Sequence, residues 1–240
     1  VSFVCTMVDR ITPQTTPADL EEIPETYSFQ DRWAVHCEEF AQWVIESTYS
    51  SRLPDFSRVG ATLAIDVHVY ELMKIRLLNG SHSALAYIAY LLGHRKVDEA
   101  ICDPDLSRFI RNHYMEEITL TLKPIEGIDF SEYKDTLISR FTNANISDSI
   151  MRLAQDGSKK IANAIGPPLI ETYSRRSSNY AILVALAAWV RFLQGKDEYG
   201  TPILIEDSKV KVLQEAAILA SQDSRSFFGI IGVAGLSDSN

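Results

Sequence analysis

The chain has 240 residues, of which 46 % are hydrophobic and 23 % charged, and its formal net charge at pH 7 is −9. This composition is typical of a soluble globular protein. The acidic balance, without any block of lysine or arginine, argues against nucleic acid and against a membrane as partners. The longest apolar run, residues 180–190, is too short to span a bilayer.

The N-terminal part of the chain is predicted to contain short strands and one helix. Residues 1–8 are β-branched and aromatic, which is typical of a strand, and we expect this strand to fray or to pair with another copy along its edge. Thr16 followed by Pro17 predicts the start of a short helix. Residues 33–37 and 42–46 are predicted as two further short strands. A polar loop is predicted over 53–64.

Residues 66–93 predict a long, uninterrupted helix around which the rest of the chain is organised. Asp66 is a suitable N-cap, and Gly93 is a residue that commonly ends a helix in the left-handed conformation. The apolar residues between them recur at spacings of three and four, as one face of a helix requires. The segment 84–92 is apolar on nearly every side, so we expect several neighbouring elements to bury it.

Three polar residues interrupt this apolar helix. At about 100° per residue, Lys74, Asn79 and His82 lie near 0°, 140° and 80°, and therefore share one side. Gly80 costs about 1 kcal/mol relative to alanine in a helix, which predicts a close approach to the backbone there. A partly desolvated lysine can act as a general base, and an amide donor can stabilise a developing alkoxide. The alternative is an exposed lysine, an ordinary helical asparagine and a capping or core histidine.

After Gly93 the pattern is helical to the end of the chain. The predicted helices span 97–102, 105–121, 131–141, 145–154, 169–174, 178–193 and 209–221. Ser147 is a candidate N-cap for the fourth of them. Near its end, the simplest interpretation pairs Arg152 with Asp156 and leaves Lys159 and Lys160 as a solvated doublet.

The three cysteines, Cys5, Cys37 and Cys102, are odd in number and irregularly spaced. This usage predicts reduced thiols in a cytoplasmic protein. His36 and Glu38 flank Cys37, but adjacent residues of a strand point to opposite faces, so we predict no metal site.

The spelling Lys-x4-Asn-x2-His, here KIRLLNGSH over 74–82, resembles the signature of the long-chain polyol dehydrogenases, a family of the mannitol 2-dehydrogenase and fructuronate reductase type. The resemblance implies that Lys74 is the general base, while Asn79 and His82 contact the reacting oxygen and the substrate.

Three further segments resemble the same family: TMVDRITP over 6–13, CEEFAQWVIE over 37–46 and Arg-x3-Asp-Gly-Ser-x-Lys over 152–160. In the second, glutamate stands where the family usually has proline. The resemblance implies that Asp9, Arg152 and Lys160 bind the rest of the substrate.

The resemblance also implies the fold and the domain organisation. The expected fold is mainly α and multihelical, similar to the C-terminal domain of 6-phosphogluconate dehydrogenase, with a few short N-terminal strands. Residues 1–12 would end the N-terminal nucleotide domain or its linker, and 13–240 would form the helical substrate domain. No G-x-G-x-x-G sequence follows a strand, so NAD or NADP would be bound mainly by an N-terminal Rossmann domain absent from this chain. We therefore expect the isolated chain to be inactive.

The implied function is hydride transfer between NAD(P) and a small polyol, ketose or sugar acid. Asp9 would repel a substrate carboxylate, so a neutral pair such as mannitol and fructose is favoured over fructuronate and mannonate. A second hypothesis is a non-catalytic helical module for sugar binding or assembly. A third is a short-chain reductase, because Tyr70 and Lys74 spell Tyr-x3-Lys. We treat that match as chance because the glycine-rich turn of that fold is missing.

Overall fold

The computed structural model describes residues 3–48, 54–146 and 148–222. It is mainly helical with one small sheet near the N-terminus, which confirms the predicted fold class. The chain divides into two compact units, Val1–Glu71 with Asn143–Asp148, and Leu72–Thr142 with Ser149–Asn240.

The first unit contains a three-stranded sheet in the order β1-β2-β3. Its strands are β1 (Thr6–Asp9), β2 (Gln42–Glu46) and β3 (Thr62–Ala64). β1 and β2 are antiparallel, from Thr6 opposite Ile45 to Asp9 opposite Gln42. β2 and β3 are parallel. The expectation that the first strand would fray is therefore wrong, because β1 pairs with β2. Pairing with another copy along the other edge of β1 stays a prediction.

Helix α1 (Pro17–Tyr27) begins where the sequence predicts it. Asp19 N–H donates to Thr16 Oγ1 (3.3 Å), and Thr16 N–H donates to the Asp19 carboxylate (2.7 Å). This reciprocal pair satisfies two donors at the helix N-terminus.

Two predictions in the first unit are wrong. Residues 33–37 form no strand. Trp33 is 89 % and Val35 68 % exposed, so their apolar side chains have no sheet face to pack on. The predicted loop over 53–64 contains β3 and a 3₁₀ turn, Phe56–Val59. Leu53 lies outside the described residues.

The central helix has the predicted ends but a different middle. The Asp66 carboxylate accepts the His68 N–H (2.9 Å), and Gly93 has a φ of 97°. Between them, α2 (His68–Met73) passes into a π-helical segment, π1 (Lys74–Asn79), and then into α3 (Gly80–Leu91). The prediction of one uniform α-helix is therefore wrong.

The second unit is helical throughout its regular elements. They continue as α4 (Val97–Ile101), α5 (Pro104–Phe109), π2 (Ile110–Tyr114), α6 (Met115–Thr119), α7 (Phe130–Phe141), α8 (Ile150–Ala154), α9 (Gly157–Lys160), π3 (Ile161–Ile165), α10 (Gly166–Ser174), α11 (Tyr180–Leu193) and α12 (Val210–Gln222). The helix predicted over 145–154 begins only at Ile150, and Ser147 lies outside the described residues. Within the described ranges, no helix combines the length and apolarity needed to cross a membrane.

The core of the second unit is built around α3, which packs against α8 and α11. Tyr87 is fully buried, and its ring and that of Tyr90 each lie 5.3 Å from the ring of Phe192 on α11. Burying a large apolar side chain contributes about 1.5–3 kcal/mol. Leu92, expected to be buried, is 60 % exposed because it follows the last turn of α3.

Candidate active site

Lys74 and Asn79 are the first and last residues of π1. Backbone hydrogen bonds in a π helix join residues five apart, and the Gly80 N–H donates in this way to the Ile75 carbonyl. Five is also the separation of Lys74 and Asn79. In an α-helix, residues five apart would lie about 140° from each other. The π turn therefore brings these two residues towards the same side, and the angles predicted for a uniform helix do not apply.

His82 extends this side of the helix by one turn. His82 lies in α3, three residues after Asn79, and this spacing makes helical side chains neighbours. Its imidazole stacks on the Phe141 ring at the end of α7, with a centroid distance of 4.2 Å and an interplanar angle of 27°. Lys74 is half-buried and Asn79 is exposed, so the amide is open to a ligand.

The His82 imidazole is held in its uncharged form. Removal from water, together with the nearby charges of Arg140, Arg152 and Lys160, lowers the pKa of His82 from 6.5 to about 3. Neighbouring atoms enclose the ring, although His82 as a whole residue is only partly buried. A neutral imidazole has one nitrogen that donates a hydrogen bond and one that accepts. His82 can therefore donate to a hydroxyl group or accept from it.

Arg152 and Lys160, predicted from the segment over 152–160, both lie close enough to His82 to act on its pKa. Lys160 Nζ donates to the carbonyls of Leu153 (2.7 Å) and Arg152 (3.4 Å) at the end of α8. Lys160 is therefore not a solvated lysine, contrary to the simplest interpretation. Lys159 is exposed, and it pairs with Asp156 (3.0 Å).

The turn that carries these cations is fixed by residues that the sequence did not single out. The Ser158 N–H and hydroxyl both donate to the Asp207 carboxylate, at 2.8 and 2.9 Å. The Asp156 N–H donates to the Glu206 carbonyl (2.9 Å). The Asp207 carboxylate therefore lies at the N-terminus of α9, where the helix dipole favours an acidic side chain.

Gly80 is required by a close approach, as the sequence predicts. A Cβ at this position would lie 2.9 Å from the Tyr114 hydroxyl and 3.4 Å from the Ala164 carbonyl. Tyr114 belongs to π2 and Ala164 to π3, so the two other π segments reach the end of π1 at this glycine.

Arg140 is a cation near His82 that sequence reasoning missed. It is 7 % exposed in the last turn of α7, and its neighbour Phe141 forms the stack with His82. The sequence offered only one signal, a basic residue beside an aromatic one in the last turn of a predicted helix.

Asp9 lies in the first unit, at the end of β1 and opposite Gln42, and it is fully buried. Arg10, the next residue in the chain, donates through Nε to the Glu38 carbonyl (2.8 Å). The role of Asp9 in the substrate pocket stays a prediction.

The N-termini of α1 and α2 do not suit the phosphates of a dinucleotide. The turn from β3 into α2 has no glycine, and the Asp66 carboxylate caps the helix that follows. At α1, the Asp19 carboxylate lies in the first turn of the helix, where it accepts the Thr16 N–H. A carboxylate at a helix N-terminus repels phosphate from the backbone N–H groups that would bind it. Over the described ranges, the structure also contains no group of three or more His, Cys, Asp or Glu residues that could hold a metal ion.

Comparison with known proteins identifies the family. Residues 66–238, which are most of the chain, match the mannitol dehydrogenase C-terminal domain. The chain belongs to the mannitol dehydrogenase family. Residues 1–57 match the mannitol dehydrogenase Rossmann domain. The division into mannitol dehydrogenase domains that we predicted, between residues 12 and 13, stays a prediction. The Rossmann-domain match ends at residue 57 and the C-terminal-domain match begins at residue 66, which is later in the chain than the predicted division.

Relatives in the mannitol dehydrogenase family include enzymes named for different substrates. The chain is 38 % identical over 219 residues to mannitol 2-dehydrogenase of Aspergillus niger, with 90 % of this chain and 45 % of the relative covered. It is 35 % identical over 235 residues to D-mannonate oxidoreductase of Escherichia coli, with 97 % and 48 % covered. The chain therefore spans about half the length of the curated relatives it matches.

A solved structure from the mannitol dehydrogenase family has the same fold. Mannitol 2-dehydrogenase of Pseudomonas fluorescens, in a ternary complex with NAD and D-mannitol, aligns with a TM-score of 0.86 at 35 % identity. The alignment covers 97 % of this chain and 47 % of that structure.

Proposed function

We propose that this chain supplies the substrate-binding and catalytic residues of an NAD(P)-dependent oxidoreductase that interconverts a polyol and a ketose of the mannitol and fructose type. Lys74 takes the proton of the reacting hydroxyl, and the Asn79 amide donates a hydrogen bond to the oxygen as it gains negative charge. His82 orients the substrate. The nicotinamide, when bound, supplies the hydride acceptor or donor, and the Rossmann part of the enzyme holds it.

The observation that carries this proposal is that Lys74, Asn79 and His82 lie on successive turns of one continuous helix. A base and an amide donor one turn apart can contact the same oxygen, which proton removal and oxyanion stabilisation both require. The uncharged imidazole next to them suits a neutral hydroxyl group. Family membership supports the same activity, since the Pseudomonas fluorescens relative was solved with NAD and D-mannitol.

A second candidate, reduction of fructuronate to mannonate, is favoured by the cations around His82. Arg140, Arg152 and Lys160 all act on this ring, and an arginine–carboxylate contact is about twice as strong as a neutral hydrogen bond. The Escherichia coli relative is named a D-mannonate oxidoreductase. Asp9 argues in the other direction if it reaches the substrate, because two carboxylates repel each other.

Substitution of Arg152 distinguishes the two substrates. The full-length gene product is assayed on fructose and on fructuronate, as parent and as Arg152→Ala. Lys159→Ala is the matched control, because Lys159 is an exposed cation in the same turn. For a polyol dehydrogenase, fructuronate is a poor substrate of the parent, and Arg152→Ala raises KM for fructose while the control does not. A parent that prefers fructuronate a hundredfold, and loses that preference in Arg152→Ala, would establish the second candidate. A parent inactive on both would refute the proposal.

A further inference from the structure

Arg76 is a buried cation inside π1 that the reaction itself does not use. Its side chain is 8 % exposed. One guanidinium nitrogen donates to the Thr121 carbonyl (2.9 Å) and to the Glu171 carboxylate (3.1 Å), and the other donates to Glu171 at 2.6 Å. This is a two-pronged contact of the kind that fixes geometry as well as charge. It ties π1 to α10, which carries Glu171, and to the chain just after α6.

Arg76 cannot reach the substrate side of the helix. It lies two residues after Lys74, and helical side chains two apart do not face each other. Any influence of the Arg76 contacts on Lys74 and Asn79 must therefore pass through the π-helical backbone that all three residues share.

The π turn needs such support because its hydrogen-bond pattern is uncommon and differs by one residue from that of the α-helix on either side. At its C-terminal end, Gly80 lies against Tyr114 and Ala164. In its middle, the contacts of Arg76 with Glu171 and Thr121 supply the second anchor. If the segment rewound as an α-helix, Asn79 would turn away from Lys74.

We propose that Glu171 is a positioning residue for the reaction: by holding Arg76, it maintains the π turn that places Lys74 and Asn79 against the same oxygen. The catalytic consequence rests on the proposed function, whereas the effect on the π turn does not.

The test compares Glu171→Gln with Arg175→Gln in the full-length gene product. Glutamine keeps one acceptor oxygen for Arg76 but removes the negative charge at residue 171 and the second hydrogen bond. Arg175 is the matched control, because it approaches the same carboxylate (3.8 Å) from the exposed side, with 57 % of its side chain accessible. For Glu171→Gln we expect kcat to fall about tenfold, or about 1.4 kcal/mol, with KM changed less than twofold. The control keeps the parent kcat.

Amide hydrogen exchange gives a readout that does not depend on activity. In Glu171→Gln, the amides of residues 74–80 should exchange at least tenfold faster than in the parent, while peptides from α11 keep their rates. Unchanged exchange in 74–80 would overturn the proposal. Faster exchange throughout the second unit would also overturn it, if kcat fell only in proportion to the folded fraction. That result would mean that the ion pair between Arg76 and Glu171 stabilises the whole unit and does not position the reacting residues. If the parent enzyme is inactive on every polyol, ketose and sugar acid tested, and Glu171→Gln still shows faster exchange in 74–80, the anchoring of the π turn is supported and the proposed function is refuted instead.

Discussion

The depressed pKa of His82 makes a quantitative prediction about stability against pH. An unfolded chain binds a proton at His82 below pH 6.5, whereas the folded chain stays neutral there down to about pH 3. The contribution of His82 to the free energy of unfolding is therefore unaffected by protonation above pH 6.5 and becomes progressively less favourable as the pH falls below it. Each pH unit below 6.5 costs about 1.4 kcal/mol, so about 3 kcal/mol is lost by pH 4. Because His82 is only partly buried as a residue, solvent screening reduces this loss to about 2 kcal/mol.

The measurement is urea unfolding of the parent and of His82→Gln at pH 7 and at pH 4. Carboxylates also titrate in this range, but they are common to both proteins and cancel in the difference. Fluorescence of Trp189, which is 1 % exposed in the unit that contains His82, follows the transition. We expect the free energy of unfolding to fall by about 2–3 kcal/mol more in the parent than in the variant. Parallel losses in the two proteins would show that His82 is not held neutral, and would remove the basis for its role towards a hydroxyl group.

Three further predictions concern the reaction, the packing and the cofactor. In the full-length gene product, Lys74→Met should lower turnover by at least about a hundredfold, the scale of losing a general base, and near-parent turnover across pH would exclude that role. Gly157→Ala should lower the free energy of unfolding by about 1–3 kcal/mol through overpacking, because its Cβ would lie 2.5 Å from the Tyr87 hydroxyl and 2.9 Å from Trp189 Nε1; an unchanged Tm would contradict this packing. The 240-residue chain alone should not bind NAD or NADP measurably, and micromolar binding by calorimetry would refute our assignment of the cofactor to another domain.

Much of the chain from residue 66 onwards was predictable because apolar periodicity and capping residues are local signals. The ends of the central helix follow from Asp66 and Gly93, and the close approach at Gly80 follows from its propensity cost. The π segments were not predictable in this way. Their apolar residues still recur at three and four, so periodicity alone does not reveal a turn that holds one more residue.

The failures in the first unit have a different cause. A strand is stabilised by partners distant in the sequence, which a local pattern does not contain. Residues 33–37 have the composition of a strand but leave Trp33 and Val35 exposed, whereas the three residues of β3 carry little pattern and pair with β2. Arg140 was missed for the same reason, since only the tertiary fold brings the end of α7 to His82.

The π turn also separates spacing in the sequence from spacing in space. Residues five apart in π1 occupy the relation that residues four apart have in a straight α-helix, where i and i+4 are neighbours. A protein with Lys-x3-Asn on a regular helix would therefore present the same two side chains as Lys74 and Asn79 do here. A search for this pair by fixed spacing would miss such a protein. Conversely, copying KIRLLN onto a designed straight helix would reproduce the letters of the motif and lose its geometry unless the widened turn were copied with it.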